Sequence, residues 1–83
     1  IKGRVQNVGF RYWFYREAIN LNLKGYVKNL NNGNEVESLV QGHSSKIIDI
    51  IKKSKKGPKP ALVEEVISTQ IMNNEIYTNF IIK

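Results

Sequence analysis

Residues 3–11 place the strongest constraint on this chain. They run from a stretch of alternating apolar residues, through a turn that contains Gly9, into a segment of helical periodicity that opens with Phe10 and Arg11. A strand-to-helix turn of this kind directs unpaired backbone N–H groups and the positive end of the helix toward one point. Arg11 can add a forked, charged contact there. The segment therefore predicts an anion site, and the alternative interpretation is an ordinary turn followed by a solvated arginine.

Hydrophobic periodicity predicts the remaining elements. One stripe of a helix contains Phe10, Phe14, Glu17 or Ala18, and Leu21. The two prolines, Pro58 and Pro60, end a second helix, since proline neither continues the hydrogen-bond ladder nor favours helix before it. We expect strands at 1–6, 24–29, 35–41, 63–71 and 76–82, the last two joined around Asn73 and Asn74, and helices at 10–23 and from a cap at Ser44 or Ser45 to Lys55.

This order of elements predicts a ferredoxin-like βαββαβ sandwich of the α+β class, with two helices on one face of an antiparallel sheet. We expect the first and third strands to be neighbours and strand 24–29 to lie at the sheet edge, with its end near the first loop. The architecture alone assigns no function, because it serves RNA binders, metal carriers and enzymes. An RNA-recognition sheet needs aromatic residues on its first strand, and residues 1–6 contain none.

Composition limits the chemistry that is available. The 83 residues suit one domain, and we expect residues 1–83 to form it, with the first strand beginning upstream of Ile1. The chain has no cysteine and a single histidine, His43, so it has no disulfide, thiolate nucleophile or histidine-based metal site. No apolar run approaches the roughly 20 residues of a membrane span. We therefore expect a cytoplasmic monomer that needs no metal or other cofactor and does not bind membranes.

The formal charge of +6 favours anionic partners. Much of it comes from one lysine cluster: Lys46, Lys52, Lys53, Lys55, Lys56 and Lys59. Such a cluster indicates the solvated face of a helix, and the alternative is a nucleic-acid footprint. Aromatic residues are not interleaved with these lysines as base stacking requires, so we do not expect a nucleic-acid partner.

The motif Gly-x-Val-Gln-x-Val-Gly-Phe-Arg at residues 3–11 resembles the signature loop of the acylphosphatase family. Residues 21–29, Gly33, Val36-Glu37, Gly42, 56–63 and 77–82 also correspond in order and spacing, so the resemblance covers essentially the whole chain. Asn7 and Asn22 stand where the family usually has glycine, and asparagine is the next-best residue for a left-handed backbone. Leu30 stands where many members have a hydroxyl residue, which removes a hydrogen bond that could support the neighbouring Asn29.

The resemblance implies hydrolysis of acyl phosphates to carboxylate and inorganic phosphate without a metal. It implies that the phosphoryl group is held by the loop formed by Gln6, Asn7, Val8, Gly9, Phe10 and Arg11. It further implies that Arg11 stabilises charge and that Asn29 orients the attacking water. From its position alone, Asn29 is simply the first residue of an asparagine-rich turn. The predicted contacts all address the phosphoryl group of an acyl phosphate or of inorganic phosphate, and none addresses the acyl chain.

Two alternative functions stay open at this point. The chain could be an acylphosphatase-like domain of a larger maturation protein that binds an acyl or carbamoyl phosphate. It could instead be a basic nucleic-acid-binding module that uses the lysine cluster.

Overall fold

The computed structural model describes residues 1–72 and 75–83. In chain order, the elements are β1 (Lys2–Arg4), α1 (Phe10–Asn20), β2 (Lys24–Asn29), β3 (Val36–Gln41), α2 (Ser44–Lys56), β4 (Leu62–Glu65) and β5 (Phe80–Ile82). This is the predicted order, and β2 has the predicted bounds. The connection predicted around Asn73 and Asn74 lies outside the described residues.

The sheet consists of two parts that join at the start of β1. One part is the antiparallel pair of β1 and β4, and the other has the order β3-β2-β5. Lys2 forms a bridge with Glu35. The Ile1 nitrogen donates to the Val36 oxygen at 3.0 Å, and the Val36 N–H donates to the Ile1 oxygen at 2.8 Å. The resulting order is β4-β1-β3-β2-β5, which confirms that the first and third strands are neighbours.

The pairing of β5 corrects the predicted position of β2. Phe80 and Ile82 pair with Gly25 and Val27 in a parallel ladder, so β2 is flanked by β3 on one side and β5 on the other. The sheet is therefore mixed, with antiparallel β1–β4 and β2–β3 pairs. A parallel pair requires a long connection, which the chain between β4 and β5 supplies. The edge position expected for β2 was wrong because β5 covers that edge.

Both helices contribute to one core. The buried face of α1 consists of Phe10, Phe14 and Ala18, as its periodicity predicted. Helix α2 buries Ile50 and Ser54. The buried apolar residues are Val5, Phe10, Phe14, Ala18, Leu23, Val27, Val36, Ile50, Ala61 and Phe80. The Ser54 hydroxyl is satisfied because it donates to the Ile50 carbonyl at 2.7 Å. The predicted ferredoxin-like α+β fold is confirmed.

The helix ends differ from the prediction by a few residues. Helix α1 ends at Asn20, because Asn22 adopts a left-handed backbone with φ of 60° and the Leu23 N–H turns back to the Ala18 carbonyl at 2.9 Å. Asparagine thus performs there the role that glycine usually performs. Helix α2 is capped by His43, whose side chain accepts from the Ser45 N–H, rather than by Ser44 or Ser45.

The last two strands are shorter than predicted. Strand β4 stops at Glu65, which pairs with Lys2 at the start of β1. Beyond that pair, the described residues offer no strand partner to the chain after Glu65, although its apolar alternation continues. Strand β5 likewise covers only the residues that pair with β2. The predicted strands 63–71 and 76–82 were therefore too long, because alternation sustains a strand only where a partner ladder exists.

The lysine cluster lies on the solvated side of α2 and just beyond it, as predicted. Lys53 lies 3.7 Å from the Glu17 carboxylate on α1 and so links the two helices. Among the described residues, none of the helices has the length and apolar character needed to cross a membrane.

Replacing Phe80 by alanine is expected to lower the free energy of unfolding by about 3–5 kcal/mol. Phe80 is 4% exposed, and its ring lies 5.9 Å from that of Phe14, so the change leaves a cavity between β5 and α1. The matched control is Ile81→Ala on the same strand, where a side chain that is 39% exposed is expected to cost about 1 kcal/mol or less. Urea unfolding measures both, and equal losses would show that Phe80 does not anchor β5.

Candidate active site

A cavity of about 210 Å³ lies where the end of β1, the start of α1 and the ends of β2 and β5 meet. It is lined by Val5, Asn7, Gly9, Phe10, Arg11, Tyr12, Asn29 and Ile82. The structure thus brings together four of the predicted phosphate-binding residues and the predicted catalytic Asn29. The fold achieves this because β1 leads directly into the loop before α1, while Asn29 ends β2.

The loop of residues 6–11 exposes its backbone donors to this cavity. Asn7 has φ of 62° and Gly9 has φ of 76°, so both adopt the left-handed conformation that turns successive N–H groups inward. Within the described part of the chain, the N–H groups of residues 7–11 donate to no acceptor. Asparagine at position 7 therefore keeps the left-handed geometry, as the family resemblance implied. The positive end of α1 adds to the attraction for an anion.

Gln6 and Val8 belong to the predicted loop but do not line the cavity. The Gln6 side chain faces the β2–β3 hairpin, where its Nε2 donates to the Leu30 carbonyl at 2.7 Å and to the Glu35 carbonyl at 2.9 Å. Val8 packs against the core. The two residues hold the loop in place from behind, while Asn7, Gly9, Phe10 and Arg11 form its cavity side.

Arg11 is the cation of the cavity. Its Nη1 donates to the Lys83 carbonyl oxygen at 2.9 Å, which fixes the side chain across the start of α1 toward the end of β5. A guanidinium carries five N–H donors, so this bond leaves donors for a ligand. Among the described lining residues there is no acidic side chain and no second cation. The cavity is therefore electrostatically suited to a small anion.

Asn29 lines the same cavity. Its Oδ1 is buried and has no hydrogen-bond partner among the described residues. Leaving such an atom unpaired costs about 1–3 kcal/mol, so an unpaired amide oxygen beside a row of free donors is an indication of a binding role. The neighbouring Leu30 has no hydroxyl to offer it, which agrees with the expectation from the sequence.

Sequence reasoning did not identify Val5, Tyr12 and Ile82 as lining residues. Val5 is 1% exposed and forms part of the cavity wall from the core side. Tyr12 follows Arg11 directly, so its proximity to the motif was an available signal. Ile82 reaches the cavity only because β5 pairs with β2 in parallel, with Ile82 opposite Val27. Because β2 was expected at the sheet edge, no strand was expected beside it from which Ile82 could reach the cavity.

Other features of the molecule lie away from this cavity. A larger cavity of about 330 Å³ lies between α2, β3 and the chain after β4. Neither the loop of residues 6–11 nor Asn29 lines it. The pKa of Tyr26 is raised to about 12, first by its hydrogen bond to Glu37 at 2.8 Å and second by burial. Tyr26 precedes Val27 on β2, so its side chain lies on the opposite sheet face from Val27 and Asn29. We therefore assign the smaller cavity as the site.

No group of three or more histidine, cysteine, aspartate or glutamate side chains in residues 1–72 and 75–83 is arranged to hold a metal ion. The donors that the cavity does offer are backbone N–H groups, a guanidinium and an amide. Such a set binds an oxyanion directly.

Solved structures with this fold include acylphosphatases. The crystal structure of the acylphosphatase from Bacillus subtilis superposes with a TM-score of 0.92 at 34% identity, covering 99% of this chain and 90% of that one. The crystal structure of T. kodakarensis HypF superposes with a TM-score of 0.86 at 37% identity, covering 99% of this chain but 11% of HypF. The same fold thus occurs alone and as a small part of a longer chain.

Sequence comparison gives the same result. The family model described as Acylphosphatase matches residues 1–82. The acylphosphatase of Caldivirga maquilingensis is 40% identical over 83 residues, which are 100% of this chain and 87% of that protein. The predicted resemblance and the predicted enzyme class are confirmed, and the chain belongs to the acylphosphatase family.

Proposed function

We propose that this protein hydrolyses the carboxyl–phosphate bond of acyl phosphates without a metal, using the loop before α1, Arg11 and Asn29. The observation that carries this assignment is that one cavity is lined by Asn29, whose buried Oδ1 has no partner, and by loop residues whose N–H groups donate to no acceptor, as seen among the described residues. One part of the cavity offers donors for phosphoryl oxygens. The other offers an acceptor for a hydrogen of water.

The phosphoryl group occupies the concave side of the loop. Backbone N–H groups of residues 7–11 donate to its oxygens, and the guanidinium of Arg11 neutralises them with its remaining donors. These donors are fixed before substrate arrives, because Gln6 and Val8 hold the loop from behind and the Lys83 carbonyl holds Arg11. Preorganised donors stabilise the charge of the transition state without reorganising.

Asn29 orients the nucleophile. The buried Oδ1 accepts a hydrogen bond from a water molecule and aims the water oxygen at phosphorus. An amide has no basic pKa, so Asn29 positions the water and does not remove its proton. The proton passes to a phosphoryl oxygen or to solvent.

The bond changes balance without an acid group on the protein. The water oxygen forms a bond to phosphorus, while the bond between phosphorus and the bridging oxygen breaks and leaves its electron pair on the carboxylate. A carboxylate is stable without a proton, so this reaction needs no general acid. The cavity, which has no acidic lining residue in the described part of the chain, suits that requirement.

A second candidate is supported by the likeness to HypF, in which the matching part is 11% of the chain. This chain would then act as an acyl- or carbamoyl-phosphate-binding domain of a longer protein. Both candidates use the same cavity, and release of phosphate from acetyl phosphate and benzoyl phosphate would favour the first.

We also propose that the enzyme is cytoplasmic, since a chain without cysteine has no disulfide that a reducing compartment would break. We further propose that it is a monomer.

Replacing Arg11 by lysine is expected to lower kcat/KM for benzoyl phosphate by roughly 10²-fold or more. The substitution keeps the charge, but a point ammonium has no fork to hold the Lys83 carbonyl and the phosphoryl oxygens together. The control is Arg4→Lys on β1, which is exposed and outside the cavity and is expected to retain the parental rate. Activity of Arg11→Lys within about threefold of the parent would contradict the role of Arg11.

Replacing Asn29 by alanine is expected to lower kcat by roughly 10²-fold while leaving the inhibition constant of inorganic phosphate nearly unchanged. Water positioning acts in the transition state, whereas the loop and Arg11 bind the anion. Because Oδ1 has no partner among the described residues, its removal is not expected to lower the melting temperature. The control is Asn31→Ala in the adjoining exposed turn. Parallel losses of turnover and phosphate affinity would show that Asn29 holds the ligand instead.

Turnover of acetyl phosphate and benzoyl phosphate is expected to persist in excess chelator, while an alkyl phosphate such as glycerol phosphate is expected to remain intact. An alkoxide leaving group needs a proton donor, and the cavity lining supplies no acidic side chain within the described residues. Phosphate release from the three compounds, each with and without chelator, tests both statements. Chelator-sensitive turnover, or similar rates on the alkyl phosphate, would show that a metal or an unidentified acid carries the reaction.

A further inference from the structure

The cavity is larger than the phosphoryl group requires. Its volume of about 210 Å³ would hold about seven waters at their share of liquid volume, whereas a phosphoryl group has only four heavy atoms. The phosphoryl donors lie on one side, at Asn7, Gly9 and Arg11. The attacking water takes part of the remaining space, and the rest is available to the group that is attached to the phosphate.

We propose that Tyr12 and Ile82 form a binding site for an apolar, preferably aromatic, acyl group of the substrate. This inference rests on the proposed function and names the substrate class at the same site. Both side chains line the cavity, and both remain open to solvent, at 59% exposure for Tyr12 and 41% for Ile82. When a ligand covers large exposed apolar side chains at a polar site, removal of their surface from water contributes to the free energy of binding.

The lining divides into a polar part and an apolar part. The loop N–H groups, Arg11 and Asn29 form the polar part. The apolar side chains are those of Val5, Phe10, Tyr12 and Ile82, of which Val5 and Phe10 are 1% exposed and already belong to the core. Only Tyr12 and Ile82 therefore have accessible surface to offer an acyl group.

Tyr12 is held in place before a ligand binds. Its ring stacks on that of Tyr15, with the centroids 6.2 Å apart and the planes inclined by 27°, and the Arg16 guanidinium lies 5.9 Å from the ring centroid. A rigid aromatic wall loses little conformational freedom when it binds a flat group. Ile82 is fixed by the pairing of β5 with β2. The two walls favour a benzoyl group over an acetyl group, which is too small to cover them.

Strand β5 provides a matched pair of variants. Ile81 and Ile82 are the same residue type on the same strand, with similar exposures of 39% and 41%, yet successive strand residues face opposite sides of the sheet. Ile82 lines the cavity, and Ile81 does not. At Tyr12, the pair Tyr12→Ala and Tyr12→Phe separates the ring from its hydroxyl.

The experiment measures kcat/KM for benzoyl phosphate and acetyl phosphate in the parent and in each variant, so that intrinsic reactivity cancels from the change in their ratio. Ile82→Ala and Tyr12→Ala are expected to lower the benzoyl-to-acetyl ratio by roughly fivefold or more, in line with the 10- to 200-fold that a methylene in a well-fitted pocket can contribute. Ile81→Ala and Tyr12→Phe are expected to leave it unchanged. An unchanged ratio in the first two variants, or an equal fall in Ile81→Ala, would overturn the inference.

A binding measurement separates this inference from the proposed function. Benzylphosphonate and methylphosphonate are not hydrolysed, and their dissociation constants report the acyl site whether or not turnover occurs. The parent protein could bind benzylphosphonate more tightly than methylphosphonate and lose this difference in Ile82→Ala, yet release no phosphate from acyl phosphates. That result would support the acyl site and overturn only the proposed hydrolysis. Equal dissociation constants for the two phosphonates would overturn the acyl site. If the same protein hydrolysed acetyl phosphate, the proposed function would still hold.

Discussion

The hydrogen bonds of Gln6 are the interaction on which the site depends. One amide nitrogen donates to the carbonyls of Leu30 and Glu35, which stand on either side of the turn between β2 and β3. Leu30 directly follows Asn29, so the same contact that closes the loop against the hairpin also sets the distance between the loop donors and the Asn29 amide. Without these two hydrogen bonds, the Gln6 side chain would no longer hold the loop of residues 6–11 against the β2–β3 hairpin, and the two sides of the cavity could move apart. Gln6 is thus a positioning residue, although its side chain does not line the cavity.

A buried side-chain oxygen without a hydrogen-bond partner lies at this place. Within the described chain, the Asn29 Oδ1 has no partner, whereas the hydroxyl of the buried Ser54 donates to the Ile50 carbonyl. Unpaired buried groups cost stability, so a small domain tolerates them only where they serve another purpose. Asn7, a residue other than glycine with φ of 62°, adds backbone strain at the same point. The candidate site therefore combines an unpaired buried oxygen with a strained backbone, and both lower the stability of the fold.

Local features of the sequence predicted local features of the structure. The bounds of β2 and the buried stripe of α1 followed from periodicity, and the left-handed backbone at Asn7 and Asn22 followed from the family resemblance. Two features that depend on distant pairing did not follow. The chain after Glu65 continues to alternate but has no partner ladder in the described residues, and β2 has a second neighbour that its own sequence does not reveal. Alternation indicates that a segment can be a strand, whereas pairing decides how much of it becomes one.

The same distinction separates the two parts of the proposed site, because a sequence motif indicates the phosphate part and no motif indicates the acyl part. An oxyanion is recognised by consecutive backbone groups at a helix start, and consecutive groups leave a motif in the sequence. An apolar group is recognised by surfaces that the fold assembles, and the acyl site that we propose combines a tyrosine from α1 with an isoleucine from β5, near opposite ends of the chain. The sequence does not mark Ile82 as a lining residue, because any apolar residue would suit that position of β5. The proposed acyl site can therefore be altered separately from the proposed phosphate site, since Tyr12 and Ile82 contribute neither the loop N–H groups nor the side chains of Arg11 and Asn29.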